Sequence, residues 1–130
     1  CINLKFMNYE IPKKWIQAVN EGNVDQIMDC YDPSASLFAT FSAQPINTRA
    51  GIQNYFENFT SREGAGVSLL EDSLELEDWG QEGYGATGLY EFFYMKNGMQ
   101  VRHPARFSFM VKVDPTQKIQ HHHSSLIPDS

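Results

Sequence analysis

Apolar residues recur at helical spacing in the first half of the chain and at alternate positions after Gly66, and this change of period divides the sequence. Within residues 9–31, Ile11, Trp15, Ala18 and Val19 mark one helical face. Glu21-Gly22-Asn23 interrupts it, and Asn23 is placed to cap a second stretch carrying Val24, Ile27 and Met28. Asp32-Pro33-Ser34 predicts the end of the helical region. Residues 35–41 then alternate Leu37 and Ala39 against Phe38 and Thr40, which predicts a short strand. Residues 45–49 form a connection, and Thr48 can cap a helix over 49–61 whose apolar face is Ile52, Tyr55, Phe56 and Phe59.

Beyond Gly66 the period is two. Residues 67–79 place Leu70, Leu74 and Leu76 against Glu71, Ser73, Glu75 and Glu77, the pattern of a half-solvated strand. Residues 83–96 are aromatic or apolar on both faces, with Tyr84, Tyr90, Phe92 and Tyr94 opposite Leu89, Phe93 and Met95. Asn97-Gly98 is a two-residue hairpin signal. Residues 99–113 follow, with Val101, His103, Ala105, Phe107, Phe109, Val111 and Val113 on one face. A turn at 114–117 leads into a last strand, 118–126. Helices first and a long meander afterwards predict an α+β fold. It is a cone in which a strongly bent antiparallel sheet wraps the N-terminal helices. Its open end, where polar groups interrupt an apolar wall, is the natural place for a site.

Length changes this picture little: 130 residues suit one domain spanning 1–130, standing alone or cut from a longer chain. Charge narrows the partners. Ten basic and 16 acidic residues leave a net charge of −6, which argues against nucleic acid and anionic membrane surfaces. Two cysteines, Cys1 and Cys30, do not make a disulfide framework, and Cys30 reads as a packed thiol. The acidic run Glu71, Asp72, Glu75, Glu77 and Asp78 reads as a solvated face.

The candidate chemistry gathers in the last strand, which carries three of the four histidines as His121-His122-His123-Ser124-Ser125. There is no phosphate loop, GxSxG turn, HExxH helix or paired CxxC motif. As a strand, the run puts Ile119, His121, His123 and Ser125 on one face and Gln120, His122, Ser124 and Leu126 on the other. His121 and His123 have the spacing to chelate zinc if His103 supplies a third nitrogen. Two other arrangements stand beside that one: a hydrogen-bonded core histidine strand, and a polar site that works without metal. Thr40 and Ser42 on the first strand, and Tyr55 on the second helix, carry hydroxyls that can join such a site. Arg102 and Arg106 lie opposite His103 and offer either outer-face ion pairs or attraction for anions.

Several of these segments carry a resemblance. The order of elements resembles the nuclear-transport-factor-2-like cone. The 15–31 segment, Leu37-Phe38-Ala39-Thr40-Phe41-Ser42, Ile52-Gln53-Asn54-Tyr55-Phe56, Pro104-Ala105-Arg106-Phe107-Ser108-Phe109 and the histidine strand look like relatives of the calcium/calmodulin-dependent kinase II association domain. The ending His-His-His-Ser-Ser is similar to the signature of iota-class carbonic anhydrases.

The resemblance implies reversible hydration of carbon dioxide to bicarbonate, without metal or other cofactor. It implies a pocket of Thr40, Tyr55, one histidine of the triplet and one serine. His123 and Ser125 are expected there because they share the face of Ile119, with His122 and Ser124 taking their place in the opposite strand phase. In this scheme Thr40 and Ser125 hold the water, His123 takes its proton and Tyr55 donates to the nascent bicarbonate oxygen. His103 joins Thr40, Tyr55 and Ser125 as a substrate contact. Members often carry export or plastid-targeting segments, which points to the periplasm or plastid. The sheet's second apolar face implies a homodimer or higher homo-oligomer. Two rivals follow from the same fold: a non-catalytic assembly domain, and an isomerase or cyclase, which would need a cavity Asp or Glu as base.

Overall fold

The computed structural model describes residues 8–129. The first helix, α1 (Ile11–Asn20), has Pro12 in its opening turn, where a missing N–H costs nothing. It buries Ile11, Trp15, Ala18 and Val19, the expected face. Asn23 caps α2 (Val24–Asp29), its side-chain oxygen accepting from the Gln26 N–H at 3.1 Å. Thr48 likewise caps α3 (Arg49–Thr60) through the Gly51 N–H at 3.1 Å.

Five strands follow the chain as β1 (Tyr31–Phe38), β2 (Gly66–Asp78), β3 (Gly83–Lys96), β4 (Met99–Lys112) and β5 (Lys118–Leu126). Their order in the sheet is β1-β5-β4-β3-β2. β2 to β5 form the expected antiparallel meander. The expectation of an all-antiparallel sheet needs correction, because β1 pairs with β5 in parallel. The sheet is therefore mixed. The consequence is functional: β5, the histidine strand, has a neighbour on both sides and is not an edge.

The first strand also begins and ends earlier than its pattern predicts. The Ile119 N–H bonds the Cys30 carbonyl at 2.7 Å, which pulls Tyr31 into the sheet. Asp32 and Ser34 still make their turn, with the Asp32 carboxylate accepting from the Ser34 N–H at 2.9 Å, but they make it inside the strand as a register shift. Phe38 is the last residue of β1, and Thr40 and Phe41 lie in the turn beyond it. Two 2.8 Å backbone bonds between Leu37 and Ile46 close residues 38–45 into a pinned loop.

The inner face of the sheet is aromatic. Trp15 stacks on Tyr90 at 5.5 Å and meets Phe109 edge-on at 5.7 Å, so α1 fills the concavity. β2 departs from its expected faces: an irregularity between Leu70 and Glu75 puts Leu70 outside opposite Leu89 while Leu76 pairs with Ala86. The acidic residues Glu71, Asp72, Glu75 and Glu77 are exposed, as a solvated face should be. Among the described residues no helix is long and apolar enough to cross a membrane.

Gly83, which opens β3, has φ +152, and a Cβ there would lie 1.9 Å from the Val111 carbonyl oxygen. Backbone cannot yield as a side chain can. Gly83→Ala should cost about 4 kcal/mol or more in urea denaturation. Gly98→Ala, at φ +76 with nothing within 4 Å, should cost only about 1 kcal/mol.

Candidate functional site

The phase of β5 decides which histidine faces the core. Val111 of β4 pairs with Ile119, yet Met110 pairs with His121, so Gln120 is an extra residue on β5. This bulge reverses the alternation. Ile119 is buried, and so are His122 and Ser124, at 1% and 4% exposure. His123 and Ser125 therefore do not share the face of Ile119. His123 is exposed on the outer face, and Ser125 lies partly buried beside it.

His122 is held by two tyrosines. The Tyr31 hydroxyl is 2.8 Å from Nδ1, and the Tyr90 hydroxyl is 3.0 Å from Nε2. Trp15 donates its indole N–H to the Tyr31 oxygen at 3.1 Å. Tyr90 bonds Ser124 Oγ at 2.5 Å, and Ser124 in turn bonds Thr40 Oγ1. Six side chains thus form one file from the core to the surface.

Counting donors fixes the direction of this file. Burial and the neighbouring His121 and His123 hold the His122 pKa well below its ordinary value, so the ring is neutral and carries one N–H. Trp15 can only donate. The Tyr31 hydrogen then finds its acceptor at His122 Nδ1, because the phenol is fully buried and has no other acceptor among the described residues. His122 accordingly carries its proton on Nε2 and donates to Tyr90. Tyr90 donates to Ser124. The Thr40–Ser124 pair then holds two hydrogens and needs only one for its mutual bond. The other hydroxyl hydrogen is left for whatever lies outside.

What lies outside is a cleft of about 380 Å³ between the 38–45 loop and the end of β5. Its walls include Thr40, Ser42, His123, Ser124 and Ser125. Thr40, Ser42, His123 and Ser125 therefore come together with Ser124, the serine expected in the opposite strand phase. Two other expected residues do not line this cleft. Tyr55 stands behind the loop, its hydroxyl accepting from the Phe41 N–H at 3.4 Å, and burial pushes its pKa up to about 12. His103 lies on the inner face of β4, its ring 5.2 Å from Phe41. The nitrogen set considered for zinc is likewise split. His121 and His123 are outside, His103 is inside, and both His122 nitrogens are already engaged. Arg102 pairs with Glu91 at 2.6 Å, while Arg106 lines a smaller hollow with His123 and Ser125. Cys30 is buried, and burial raises its pKa to about 11, as befits a packed thiol. Cys1 lies outside the described residues.

Trp15 and Tyr90 read from sequence as core aromatics and Tyr31 only as the end of the helical segment, and nothing in the pattern marks any of them as polar. The available signal was chemical. A buried phenol requires a partner, and two aromatic hydrogen-bonding groups, Trp15 and Tyr90, fall on faces predicted to be dry.

A bent sheet closed around helices puts the chain in the nuclear-transport-factor-2-like fold class. A protein of that superfamily from Salmonella enterica superposes with a TM-score of 0.79 at 14% identity, over 93% of this chain and 89% of that one. A ketosteroid isomerase-like protein from Erwinia carotovora superposes at 0.77 with 9% identity, over 92% of both chains. At such identities the likeness concerns fold alone. Within the class, this chain belongs to the calcium/calmodulin-dependent protein kinase II association-domain family, whose model matches residues 9–128. A structure from Xanthomonas campestris described as such a domain has a TM-score of 0.81 and 27% identity, covering 92% of this chain and 85% of that one. No curated protein matches the sequence.

The neutral His122 makes stability depend on pH. Its pKa is lower folded than the ordinary 6.5, so below about pH 6.5 the unfolded chain binds the extra proton. The contribution is fully present above pH 6.5 and is lost as pH falls toward the folded value. Unfolding free energy should drop by about 1.4 kcal/mol per pH unit in that window. Urea denaturation at pH 7, 6 and 5 measures it, and His122→Gln should remove most of the slope.

Proposed function

We propose that the cleft hydrates carbon dioxide reversibly to bicarbonate, with no metal in the reaction. The observation that supports this most is the unspent hydroxyl hydrogen of the Thr40–Ser124 pair, directed outward by a buried file, in a cleft that also holds an imidazole. A donor fixed in place stabilises negative charge as it develops and needs no reorganisation.

The steps follow from the groups present. Ser125 positions a water against the carbon of carbon dioxide. As the water oxygen forms its bond to carbon, one C=O bond gives its electron pair to its own oxygen, and the Thr40–Ser124 hydrogen meets that oxygen. His123, exposed at the rim, takes the water's proton and passes it to buffer. Bicarbonate then leaves. The file cannot accept this proton, because every hydroxyl in it already points its hydrogen outward. The base therefore comes from the rim, not the core. Tyr55 acts through the loop it braces at Phe41 rather than by touching the substrate. This is the role in which its position differs from the expected one.

A second role is compatible with the first. The outer sheet face carries a groove of about 470 Å³ that includes Trp79 and Met110. Trp79 and Met110 are 41% and 46% exposed. The family takes its name from association, and a self-pairing of this chain through that face would cover these side chains. The isomerase or cyclase alternative has less support, since no Asp or Glu lines the cleft among the described residues.

Stopped-flow hydration of carbon dioxide in the presence of a strong chelator tests the proposal, and turnover should survive. Thr40→Ala, Ser124→Ala and Ser125→Ala should each lower it, by roughly 10²-fold for the pair that carries the donor. His123→Ala should lose most at low buffer concentration and recover with added imidazole. A folded protein with no rate above the uncatalysed one would leave association as the function. Sedimentation at micromolar concentration checks that second role, with a dimer or larger assembly expected and a strict monomer against it.

A further inference from the structure

β2 lies at an edge of the sheet and runs 13 residues, long for a strand with a neighbour on one side only. Near its start the open edge is already answered. The Asn20 side chain donates to the Val67 carbonyl at 3.0 Å and accepts from the Val67 N–H at 2.7 Å, the two bonds a neighbouring strand would make. Backbone groups along a strand alternate in direction, so Leu69, two residues on and still in register with β3, also turns its N–H and C=O outward. No side chain among the described residues takes them.

Beside Leu69 lies a groove of about 520 Å³ between α1 and β2. Ile16, Val67 and Leu69 supply its apolar surface. Lys13 and Glu21 line the helix side and Glu71 the strand side, so its own charge is net negative. An open strand edge with a helix alongside and an apolar floor between them is the geometry in which an extended peptide adds as a further strand. On the other face of β2, Leu70 is 47% exposed. Glu71, Asp72, Glu75 and Glu77 follow, all exposed, and none has a Lys or Arg within ion-pair reach among the described residues.

Charge chooses the occupant. A second copy paired through the same open stretch would bring the two copies' Glu71 and Asp72 close together, and like charges across paired strands repel. A basic strand meets opposite charge there, on a chain whose net charge is −6.

We propose that the Leu69 edge and the α1–β2 groove bind an extended basic segment of another protein, which joins the sheet beside β2. The segment pairs its backbone with the Leu69 N–H and C=O. One apolar side chain sinks onto Ile16 and Leu69. Its lysine or arginine neighbours point to the opposite face, where their stems cover Leu70 and their charges reach Glu71 and Asp72. Asn20 ends the added strand at Val67. The inference stands on this edge alone and does not require that the cleft hydrate carbon dioxide.

Titration of the ¹⁵N-labelled protein with the amidated peptide Lys-Val-Lys-Val-Lys tests it. Two controls run beside it: the same peptide N-methylated at every residue, which keeps its charge and cannot pair, and Glu-Val-Glu-Val-Glu. Saturable shifts are expected at Ile16, Leu69, Leu70 and Glu71 with the basic peptide, and binding at least about tenfold weaker with either control. Glu71 and Asp72 are exposed, so the double variant Glu71→Lys, Asp72→Lys should fold normally and bind the basic peptide about tenfold more weakly. Equal affinity for the N-methylated peptide would reduce the contact to charge and overturn the proposal. Shifts confined to Glu75, Glu77 and Trp79, unchanged affinity in the double variant, or no saturable shift would each overturn it too. Shifts at Leu69 that grow with protein concentration in the absence of peptide would give the edge to a second copy instead.

Discussion

The interaction on which the rest depends is the suspension of His122 between two buried tyrosines. An imidazole in an aromatic core is tolerable only if it is neutral and both nitrogens are paired. Tyr31 from the first strand and Tyr90 from the third meet that requirement from opposite sides. Their geometry demands that β5 lie between β1 and β4, since only there do both phenols reach the ring. The parallel pairing of β1 with β5 is thus tied to the histidine as well as to sheet topology. Trp15 completes the arrangement by occupying the remaining acceptor position on Tyr31 while packing against the His122 ring at 5.2 Å. The same side chain anchors α1 in the cone and sets the direction of the hydrogen bonds.

That direction is what links fold to chemistry. A file of hydroxyls that could be reversed freely would offer either a donor or an acceptor to a ligand. A file whose inner end is an indole N–H, a pure donor, offers a hydrogen at its outer end. The cleft therefore presents a donor suited to negative charge, and in the proposed hydration the base comes from the rim. The division between a buried donor file and an exposed imidazole also explains why three consecutive histidines need not share one role. One is structural and internal, and two face outward, with His121 tied to Ser36 at 2.7 Å.

Much of the fold was legible in sequence, for identifiable reasons. The helical faces of Trp15 and Phe56, the caps at Asn23 and Thr48, and the Asn97-Gly98 hairpin are local signals, and each formed where its residues predict. The antiparallel meander followed from alternation in β3 and β4, which run fourteen residues each without a register shift between them. What alternation could not show was where it is interrupted. The extra residue at Gln120 reverses the faces of His121 to Ser125, and the irregularity before Glu75 separates Leu70 from Leu76. A bulge leaves little trace in a short run such as Lys118–Gln120, because it shows only in the pairing with the partner strand. The same limit hid the polar file, since Tyr31 and Tyr90 are indistinguishable from packing aromatics until their neighbours across the sheet are known. Thr40, His123 and Ser125 were named from sequence and do meet in one cleft, although the strand phase used to choose the last two was not the one adopted.

The state of a single ring carries the central claim, and it can be observed directly. Long-range ¹H–¹⁵N correlation spectra of the ¹⁵N-histidine-labelled protein report which nitrogen of His122 bears hydrogen. The account predicts a neutral ring with its hydrogen on Nε2, unchanged from pH 8 down to about pH 5.5. A hydrogen on Nδ1, or a ring that protonates within that range, would reverse or break the file and contradict the account.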